Sequence, residues 1–297
     1  METVPADGIE VVMRVALVVH VFYPALWPEL AACIRNVREP HDLFITYVNE
    51  ETVREAKAEF PNARFVRCEN RGYDVWPFLK VLQTLRLEDY GCVVKLHTKR
   101  DIDQDMEINR TWLAGASWRN HLLSFIRSGA TWRRTLSRLR RPGVGMVADR
   151  HLVFGRDTTE SRLRATYDRA RREIESLSGC SLKTEGWYVA GTMFAARPEA
   201  LRPLLLRHYS AEMFDVSSGH DRETFAHVME RMLGLSVHAA GLRIAACSGS
   251  VQLRRLYYSQ TAAGKIMRFF FRKRVNGPSL RIWILGLPVF ARALHRT

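Results

Sequence analysis

The sequence predicts an α/β fold in which helices flank a mostly parallel sheet. Segments with strand and helix patterns alternate at short spacing through the first hundred of the 297 residues, which is typical of a doubly wound parallel sheet. The first segment, Val15–Val21, is apolar except for His20, as expected of a strand that is buried on both faces. Segments with apolar residues at helical spacing separate the strands and supply the crossover helices that parallel strands need.

The first half of the chain has a regular order of elements. The predicted strands are Val15–Val21, His41–Val48, Arg64–Cys68 and one that begins at Cys92. The predicted helices between them are Glu29–Asn36, Glu51–Phe60 and residues 75–85. Asp74 stands at the N-cap position of the third helix, directly after the glycine turn at residues 70–72.

The second half is predicted from shorter signals. A polar loop is expected at residues 100–110. Helices are predicted at Trp112–Arg127, Thr131–Arg140, Thr159–Leu177, residues 199–208 and Ser218–Leu233. Strands are predicted at Val144–Val147, at Trp187–Ala196 with an interruption at Gly191, and at Ser236–Ala246. The many charges of Thr159–Leu177 predict a solvent-exposed helix.

Composition argues against several classes of protein. The five cysteines are scattered and form no C-x-x-C pair, which argues against a disulfide framework or zinc ribbon and favours a reducing cytoplasm. The acidic N-terminal residues are unlike a secretory signal, and no apolar stretch reaches the ~20 residues of a membrane span. The net charge of +14 is concentrated in residues 126–141 and 251–297. That pattern predicts an anionic partner, either a membrane surface or nucleic acid.

Three features that favour an anion fall on one edge of the predicted sheet. They are the glycine turn 70–72, the helix N-terminus after it, and the cationic end of the strand that begins at Cys92. Ligands of open α/β sheets bind beyond the carboxyl ends of strands, and helix N-termini attract anions, so a diphosphate is the predicted ligand. Gly72 would let the backbone approach it, and Asp74 would bind a sugar or base hydroxyl. The alternative is an ordinary turn in which Asp74 only caps the helix.

Basic and titratable residues alternate at the end of the strand that begins at Cys92. Lys95, His97 and Lys99 are spaced by two, so their side chains face one side of the strand. Such groups would stabilise the negative charge of a departing diphosphate, as a metal ion would. The alternative is a solvated basic edge.

An acidic run follows directly. Asp101, Asp103 and Asp105 resemble a metal-binding run but lack the glycine and glutamate of a calcium loop. A solvated acidic loop is therefore preferred to a metal site.

A second group of acids precedes and begins the predicted helix Ser218–Leu233. Asp221 and Glu223 lie in its loop and first turn, where a carboxylate could take the proton of an acceptor hydroxyl. The alternative role is helix capping and compensation of the helix dipole. His227 and the pair Glu230–Arg231 are predicted to be structural.

The C-terminal tail combines aromatic and basic residues. Phe269–Phe271 and Leu280–Phe290 lie among cations, and residues 251–297 contain no acid. This mixture suits the surface of an anionic membrane. The alternative is a hairpin that packs on the domain and bends at Gly286 and Pro288.

Five separate motifs resemble one known family. They are His20-Val21-Phe22-Tyr23, the run Asn-Arg-Gly-Tyr-Asp-Val-Trp-Pro-Phe at 70–78, Lys-Leu-His-Thr-Lys at 95–99, Ala-Gly-Thr-Met-Phe at 190–194 followed by Arg197-Pro198, and Ala-His-Val-Met-Glu-Arg at 226–231. In this order they resemble the rhamnan synthesis protein F family of bacterial polysaccharide glycosyltransferases. The resemblance implies transfer of a sugar, often rhamnose from dTDP-rhamnose, onto a growing glycan such as lipopolysaccharide O-antigen, rhamnan or capsule.

A looser resemblance is to the GT-A fold, a Rossmann-type fold of nucleotide-diphospho-sugar transferases. There an Asp-x-Asp metal motif usually ends the strand where this chain has His97-Thr98-Lys99. The resemblance therefore implies that no metal cofactor is required, with Mg²⁺ or Mn²⁺ as the alternative. The region 218–231 supplies the catalytic base in that fold, which favours Asp221 and Glu223 for this role and an inverting reaction.

These resemblances assign roles along the chain. Residues 1–250 are expected to form the glycosyltransferase domain, with a nucleotide-sugar half at 12–110 and an acceptor half at 111–250, and 251–297 to form a basic aromatic tail. The expected nucleotide-sugar ligands are His20, Tyr23, Asn70, Arg71, Gly72, Asp74, Lys95, His97 and Lys99. The expected acceptor ligands are Trp187, Gly191 and Thr192.

The expected setting is the cytoplasm, peripheral to the inner face of the cytoplasmic membrane. The acceptor would be a lipid-linked or growing glycan, and no nucleic acid is expected as a partner. Two alternatives from other classes remain open: a non-catalytic subunit of a polysaccharide-synthesis complex, and a nucleic-acid-binding module driven by the basic segments, whose binding would depend steeply on salt.

Overall fold

A computed structural model gives the fold. It describes residues 13–108, 111–115, 117–156, 163–182, 186–217, 224–249, 262–276, 279–285 and 287–293. The strands in chain order are β1 (Val15–Val21), β2 (His41–Tyr47), β3 (Arg64–Arg67), β4 (Cys92–His97), β5 (Ile102–Ile108), β6 (Thr111–Gly115), β7 (Val144–Ala148), β8 (Val153–Phe154), β9 (Tyr188–Val189), β10 (Phe194–Ala196), β11 (Arg243–Ala246), β12 (Phe271–Asn276), β13 (Ser279–Ile284) and β14 (Leu287–Ala293). The α-helices are α1 (Trp27–Ile34), α2 (Arg54–Glu59), α3 (Val75–Leu82), α4 (Ser117–Leu122), α5 (Gly129–Leu139), α6 (Arg164–Ser178), α7 (Pro198–Leu201), α8 (Phe225–Ala239) and α9 (Ala262–Phe270).

Seven strands form the main sheet in the order β11-β7-β10-β4-β1-β2-β3. The neighbouring strands run parallel, except that β10 is antiparallel to both β4 and β7. Every residue of β1 and β4 is buried, as the apolar run that begins β1 predicts. The α/β fold with a mostly parallel sheet and flanking helices is therefore confirmed, and the carboxyl ends of β1, β4 and β7 lie at one edge.

Helices cover the sheet and complete one contiguous apolar core. In the first half, α3 packs against β1 and β2, and its Phe78 ring lies edge-on to Phe194 of β10, with ring centres 6.0 Å apart. In the second half, α5 packs against β7, while α8 packs against α6, α7 and β9. These contacts fix the positions of the strand ends that carry the polar side chains described below.

The region after β4 differs from the prediction. Residues predicted as a polar loop and as the start of helix Trp112–Arg127 form β5 and β6, which pair antiparallel, and α4 is confined to Ser117–Leu122. The sequence Ile-Asp-Gln-Asp-Met-Glu-Ile of β5 places acids at every second position, a strand-like alternation. The charge of this run favours a loop, whereas its period of two indicates the strand.

Two predictions for the second half are also wrong. The segment predicted as strand Ser236–Ala246 is helical up to Ala239, and the strand begins only at Arg243. Gly241, with φ of 71°, makes the turn between them. The helix predicted from Ser218 begins at Phe225, and residues 218–223 lie outside the described part of the chain.

Helix α6 is not the solvent-exposed helix that its charges predict. It buries Thr166, Tyr167, Ala170 and Ile174, and it packs against α8. Thr166, Ala170 and Ile174 follow one another at i, i+4 spacing, which gives a narrow buried stripe on an otherwise charged helix.

The C-terminal tail forms α9 and a three-stranded antiparallel sheet of β12, β13 and β14. Pro288, predicted to make a bend, lies in β14 and pairs with Trp283 of β13. Gly286 lies outside the described residues. Within the described ranges, none of the helices combines the length and the apolar character needed to cross a bilayer.

Candidate functional site

A cavity of about 440 Å³ opens at the carboxyl ends of β1 and β4. Six of the predicted nucleotide-sugar ligands line it: His20, Tyr23, Asn70, Asp74, His97 and Lys99. The other three, Arg71, Gly72 and Lys95, are not part of the lining. The cavity also has seven lining residues that were not predicted as ligands: Phe22, Tyr73, Thr98, Arg100, Asp101, Trp118 and Ser217.

The two adjacent strands place two histidines side by side at the base of the cavity. His20 of β1 is in register with His97 of β4, and both are buried. Thr98 ties the two strand ends together, because its hydroxyl accepts the backbone N–H groups of Phe22 at 2.9 Å and Tyr23 at 3.0 Å. The Thr98 hydroxyl therefore acts as an internal brace, a role that its place in the Lys-Leu-His-Thr-Lys motif does not reveal.

Asp74 occupies the N-cap position of α3 but makes no side-chain capping bond. Its carboxylate instead accepts hydrogen bonds from the Lys95 ammonium and from the Thr192 hydroxyl, the latter at 2.5 Å. Lys95 also donates to the Thr192 hydroxyl at 2.7 Å. Simple helix capping, the alternative reading of Asp74, does not describe this geometry.

Charge at the base of the cavity is balanced internally. Burial alone would raise the pKa of Asp74, but the ammonium groups of Lys95 and Lys99 hold it below its usual range, so the carboxylate is ionised. Burial lowers the pKa of the Lys95 ammonium, and the Asp74 carboxylate opposes that shift. Lys95 is only 1% exposed, and this position favours an ion pair with Asp74 over direct contact with a phosphate.

His97 is a buried ring without a hydrogen-bond partner among the described residues. Neither ring nitrogen forms a hydrogen bond, and Nδ1 lies 3.4 Å from Asp74 Oδ2. Burial lowers the pKa of His97 well below 6.5 despite the nearby carboxylate, so the ring is neutral at pH 7. A neutral imidazole offers one N–H donor and one acceptor nitrogen, a pair that suits a ligand hydroxyl.

His20 is neutral as well, for the same reason. Burial lowers its pKa to about 4, and its Nδ1 is 3.0 Å from the Thr46 hydroxyl. The base of the cavity therefore holds two neutral imidazoles beside an ionised, paired carboxylate.

The rim of the cavity is cationic. Lys99 and Arg100 follow β4, and the Arg100 guanidinium lies 5.0 Å from the centre of the Tyr23 ring, within the range of a cation–π contact. Asp101 also lines the cavity, but its carboxylate pairs with Arg119. The rim therefore offers two cations to an anion while its acid is already paired.

The residues at the end of β4 do not suit a divalent cation of the kind that the Asp-x-Asp motif of GT-A transferases binds. His97 is neutral, Thr98 is committed to two backbone N–H groups, and Lys99 is a cation. Divalent Mg²⁺ and Mn²⁺ favour carboxylate oxygens. The side chains of Asp103 and Asp105 lie outside the described part of the structure.

The glycine turn packs against a distant segment. Gly72 has φ of 61°, and a Cβ there would lie 2.6 Å from Cδ1 of Phe214. Its N–H donates to the Asp215 carbonyl at 3.1 Å, and the Arg71 guanidinium donates to the Phe214 carbonyl at 2.8 Å. The close approach that Gly72 allows is therefore to Phe214, and Arg71 is engaged in the same contact.

The same segment leads to the residues that were predicted as the catalytic base. Ser217 accepts the Tyr73 N–H on its hydroxyl at 3.0 Å and lines the cavity. Asp221 and Glu223 follow shortly in sequence but lie outside the described residues. Their role stays a prediction.

The predicted acceptor ligands are engaged in contacts within the protein. The Gly191 N–H donates to Glu230 Oε1 at 2.8 Å, and Thr192 belongs to the Asp74–Lys95 cluster. The Trp187 N–H donates to His238 Nε2 at 2.9 Å. None of these three predicted acceptor residues is part of the lining, so their contact with an acceptor also stays a prediction.

Comparison with protein families matches residues 3–242 to rhamnan synthesis protein F (RgpF). Among curated proteins, the chain is 27% identical over 238 residues to the uncharacterized protein WxcX of Xanthomonas campestris pv. campestris strain B100. That match covers 77% of this chain and 32% of WxcX. The chain thus spans about a third of the length of the curated relatives it matches.

Two solved structures show distant similarity. One is glucosyl-3-phosphoglycerate synthase from Mycobacterium tuberculosis in complex with Mn²⁺, UDP and glucosyl-3-phosphoglycerate, with 14% identity, a TM-score of 0.29, and coverage of 68% of this chain and 64% of that chain. The other is CMP:2-keto-3-deoxy-manno-octonic acid synthetase with CTP, with 10% identity, a TM-score of 0.31, and coverage of 79% and 88%. Both likenesses are too distant to bear on the ligands of this chain.

Proposed function

The chain belongs to the rhamnan synthesis protein F family, and we propose that it is a glycosyltransferase that uses a nucleotide-diphosphate sugar. The observation that carries the proposal is the cavity at the ends of β1 and β4, which has a cationic rim and a neutral, hydrogen-bonding base. A nucleotide-diphosphate sugar has the matching polarity, with a doubly charged diphosphate next to an uncharged sugar.

This polarity gives the donor an orientation. The diphosphate lies at the rim against Lys99 and Arg100, where charge-assisted hydrogen bonds are available. The sugar lies at the base, where its hydroxyls satisfy the unpartnered nitrogens of His97. This modifies the role expected of His97, because a neutral imidazole binds a hydroxyl well but does little to neutralise a phosphate.

The proposed reaction is an inverting displacement. The acceptor hydroxyl attacks the anomeric carbon while the bond to the diphosphate oxygen breaks, and Asp221 or Glu223 takes the hydroxyl proton. Lys99 and Arg100 stabilise the charge that develops on the leaving diphosphate. No step requires a metal ion at the end of β4.

Membership of the rhamnan synthesis protein F family supports the proposed donor and acceptor. The proposed sugar is rhamnose or another deoxyhexose, with dTDP-rhamnose as the first candidate, and the acceptor is a lipid-linked or growing cell-surface glycan. The proposed location is the inner face of the cytoplasmic membrane, because residues 251–297 contain ten basic residues and no acid. The tail also exposes large apolar side chains, among them Phe269, Phe270, Leu285 and Leu287, a mixture that suits an anionic lipid surface.

The donor site is tested by thermal unfolding with dTDP, UDP, GDP and their sugars, each in EDTA and in Mn²⁺. A ligand at ~100 times its Kd adds about 2.7 kcal/mol to the free energy of unfolding. We expect stabilisation by one nucleotide that persists in EDTA. Stabilisation only with Mn²⁺ would contradict the metal-free reaction, and no response to any nucleotide would contradict the donor site.

Turnover is tested on the same protein with the donor so identified. Asp221→Ala and Glu223→Ala, made separately, are expected to leave donor binding intact, and one of them should abolish transfer. Near-full turnover in both would rule out the proposed base. Donor binding without transfer to any glycan acceptor would favour the alternative of a non-catalytic assembly subunit.

The membrane location has its own test. Sedimentation with vesicles of phosphatidylglycerol is compared with sedimentation with phosphatidylcholine vesicles, for the full chain and for a chain that ends before residue 262. Binding to the anionic vesicles alone, lost on truncation, is expected. Equal sedimentation of the two chains would contradict the role of the tail.

A further inference from the structure

Three side chains outside the cavity meet at the carboxyl end of β7. Asp149 follows the strand directly, His151 lies in the next turn, and His121 comes from the last turn of α4. Asp149 Oδ2 is 3.2 Å from His121 Nδ1, and Asp149 Oδ1 is 2.8 Å from His151 Nδ1. From this convergence we propose that His121, Asp149 and His151 bind one divalent transition-metal ion of the zinc type.

The distances between these atoms fit a shared ion. Zinc binds imidazole nitrogen and carboxylate oxygen at about 2.0 to 2.2 Å, so two ligands at right-angled to tetrahedral positions are about 2.8 to 3.6 Å apart. The separations of 2.8 Å and 3.2 Å lie at or close to this range. One ligand atom of each residue lies within 4.8 Å of the others, so a small movement of the rings admits the ion.

The chemistry of the three ligands suits the same class of ion. Two imidazoles and one carboxylate favour zinc and its first-row neighbours over Ca²⁺ and Mg²⁺, which prefer oxygen ligands. Three protein ligands leave at least one position for water or for a further ligand. The proposed site is therefore an open one.

Charge supports a cation at this position. Asp149 is only 5% exposed, and within the described residues it forms no ion pair with a lysine or an arginine. The guanidinium of the adjacent Arg150 lies 3.3 Å from His151 Nε2, and it must turn away when His151 binds the ion through Nδ1, because Nε2 then carries the ring proton. A buried carboxylate needs compensation, and in the proposed site the metal ion supplies it.

The backbone holds the carboxylate in place. Asp149 caps the short turn Arg150–Leu152, and its Oδ1 accepts the His151 N–H at 2.7 Å. The site lies at the same edge of the sheet as the cavity, because β7 and β4 are both antiparallel to β10. Helix α4 carries His121 and also Trp118, which lines the cavity, so the ion would fix a helix that borders the donor site.

The same distances also describe two imidazole N–H groups that donate to one carboxylate, and experiment separates the two states. The 297-residue chain is stripped with a chelator and titrated with Zn²⁺ by calorimetry and with Co²⁺ by visible absorption. We expect one equivalent to bind, with the intense absorption of a Co²⁺ site that has nitrogen and oxygen ligands.

Variants locate the site. His121→Gln and Asp149→Asn are each expected to weaken Zn²⁺ binding by more than the roughly 10- to 100-fold typical of losing an outer-shell partner. His41→Gln, at an exposed histidine of β2, is the matched control and should leave binding unchanged. Circular dichroism checks the fold, and His121→Gln alone decides the outcome if Asp149→Asn does not fold.

Two results would overturn the proposal. One is the absence of stoichiometric binding by the unmodified protein, which would leave a purely hydrogen-bonded cluster. The other is affinity that survives in His121→Gln, which would place the ion elsewhere. Binding of Zn²⁺ is measured without nucleotide, so failure here is independent of the fate of the donor site.

Discussion

Asp74 and Lys95 form a buried ion pair that joins the N-terminus of α3 to β4. The hydroxyl of Thr192, in the turn before β10, completes the cluster. Thr192 has φ of 52°, a conformation that a β-branched residue rarely adopts. Three segments that are distant in sequence are thus held together directly beneath the cavity.

Breaking this pair should be costly. Lys95→Met leaves the Asp74 carboxylate buried without its cation, and we predict a loss of about 3–5 kcal/mol in the free energy of unfolding. Lys80→Met is the matched control, because Lys80 pairs with Glu69 near the surface, and it should cost at most about 1 kcal/mol. Urea unfolding of both variants gives the comparison.

The double variant Asp74→Asn/Lys95→Met tests the cause. If the cost arises from an uncompensated charge, the double variant should be more stable than the sum of the single losses. Additive losses would show that packing, rather than charge, dominates at this position.

The glycine turn offers a second comparison. Gly72 and Gly179 have nearly equal φ angles, 61° and 65°, but a Cβ at Gly72 meets Phe214 while one at Gly179 meets nothing within 4 Å. Gly179→Ala should cost about 1–2 kcal/mol for the left-handed backbone alone. Gly72→Ala should cost about 1–3 kcal/mol more because of the clash, as measured by thermal unfolding. Equal losses would mean that the Phe214 ring moves aside freely.

The orientation of the donor predicts different effects for the base and the rim of the cavity. His97→Ala should weaken binding of the nucleotide sugar about 3- to 10-fold, the worth of a neutral hydrogen bond, and leave binding of the free nucleoside diphosphate unchanged. Lys99→Ala should weaken both about 10- to 100-fold, because it loses a charged hydrogen bond.

Calorimetric titration of each variant with the two ligands measures these effects. Lys57→Ala, at a surface lysine paired with Glu50, serves as the control for the loss of one positive charge. If His97→Ala lowers the affinity for the sugar nucleotide and for the free diphosphate equally, the result would contradict the proposed orientation.

Stability should fall in mild acid because of buried neutral histidines. Burial lowers the pKa of His238 and of His20 to about 4, so the unfolded chain binds protons near pH 6.5 that the folded chain does not. Stability is therefore complete above about pH 6.5 and is lost as the pH falls towards 4, by about 1.4 kcal/mol per pH unit for each ring.

One variant isolates a single ring. His238 lies away from the cavity and accepts the Trp187 N–H, a bond that a glutamine oxygen also accepts. His238→Gln should reduce the slope of unfolding free energy against pH by about 1.4 kcal/mol per pH unit in that window. An unchanged slope between pH 4 and 6.5 would show that His238 does not titrate there.

Much of the first half of the fold was predictable from local pattern. The elements of β1 to β4 show up as apolar runs and helical spacing, and parallel strands place their carboxyl ends together. That rule alone brings His20, His97 and Lys99 to one cavity. The prediction was wrong for segments such as β5 and the end of α8. In these segments, charged or β-branched residues mask the period of the hydrophobic pattern.

Long-range partners were not predictable in the same way. Nothing local to Lys95 indicates that it is neutralised by Asp74, or that Thr192 completes the cluster. The contact of Gly72 with Phe214 and the meeting of His121 with Asp149 depend on tertiary packing between distant segments. Such pairs carry no spacing signal in a single sequence, whereas residues at adjacent strand ends do.

The antiparallel strand β10 has a consequence for how the chain is made. Lys95 of β4 pairs with Phe194. The backbone groups on that edge of β4 therefore stay unpaired until β10 leaves the ribosome, about a hundred residues later. At about 5–20 residues per second, the edge of the nascent half-sheet stays open for roughly 5–20 s. An apolar strand with unpaired backbone groups is a template for aggregation, so the open edge of β4 is the aggregation hazard of the newly synthesised chain until its second half arrives.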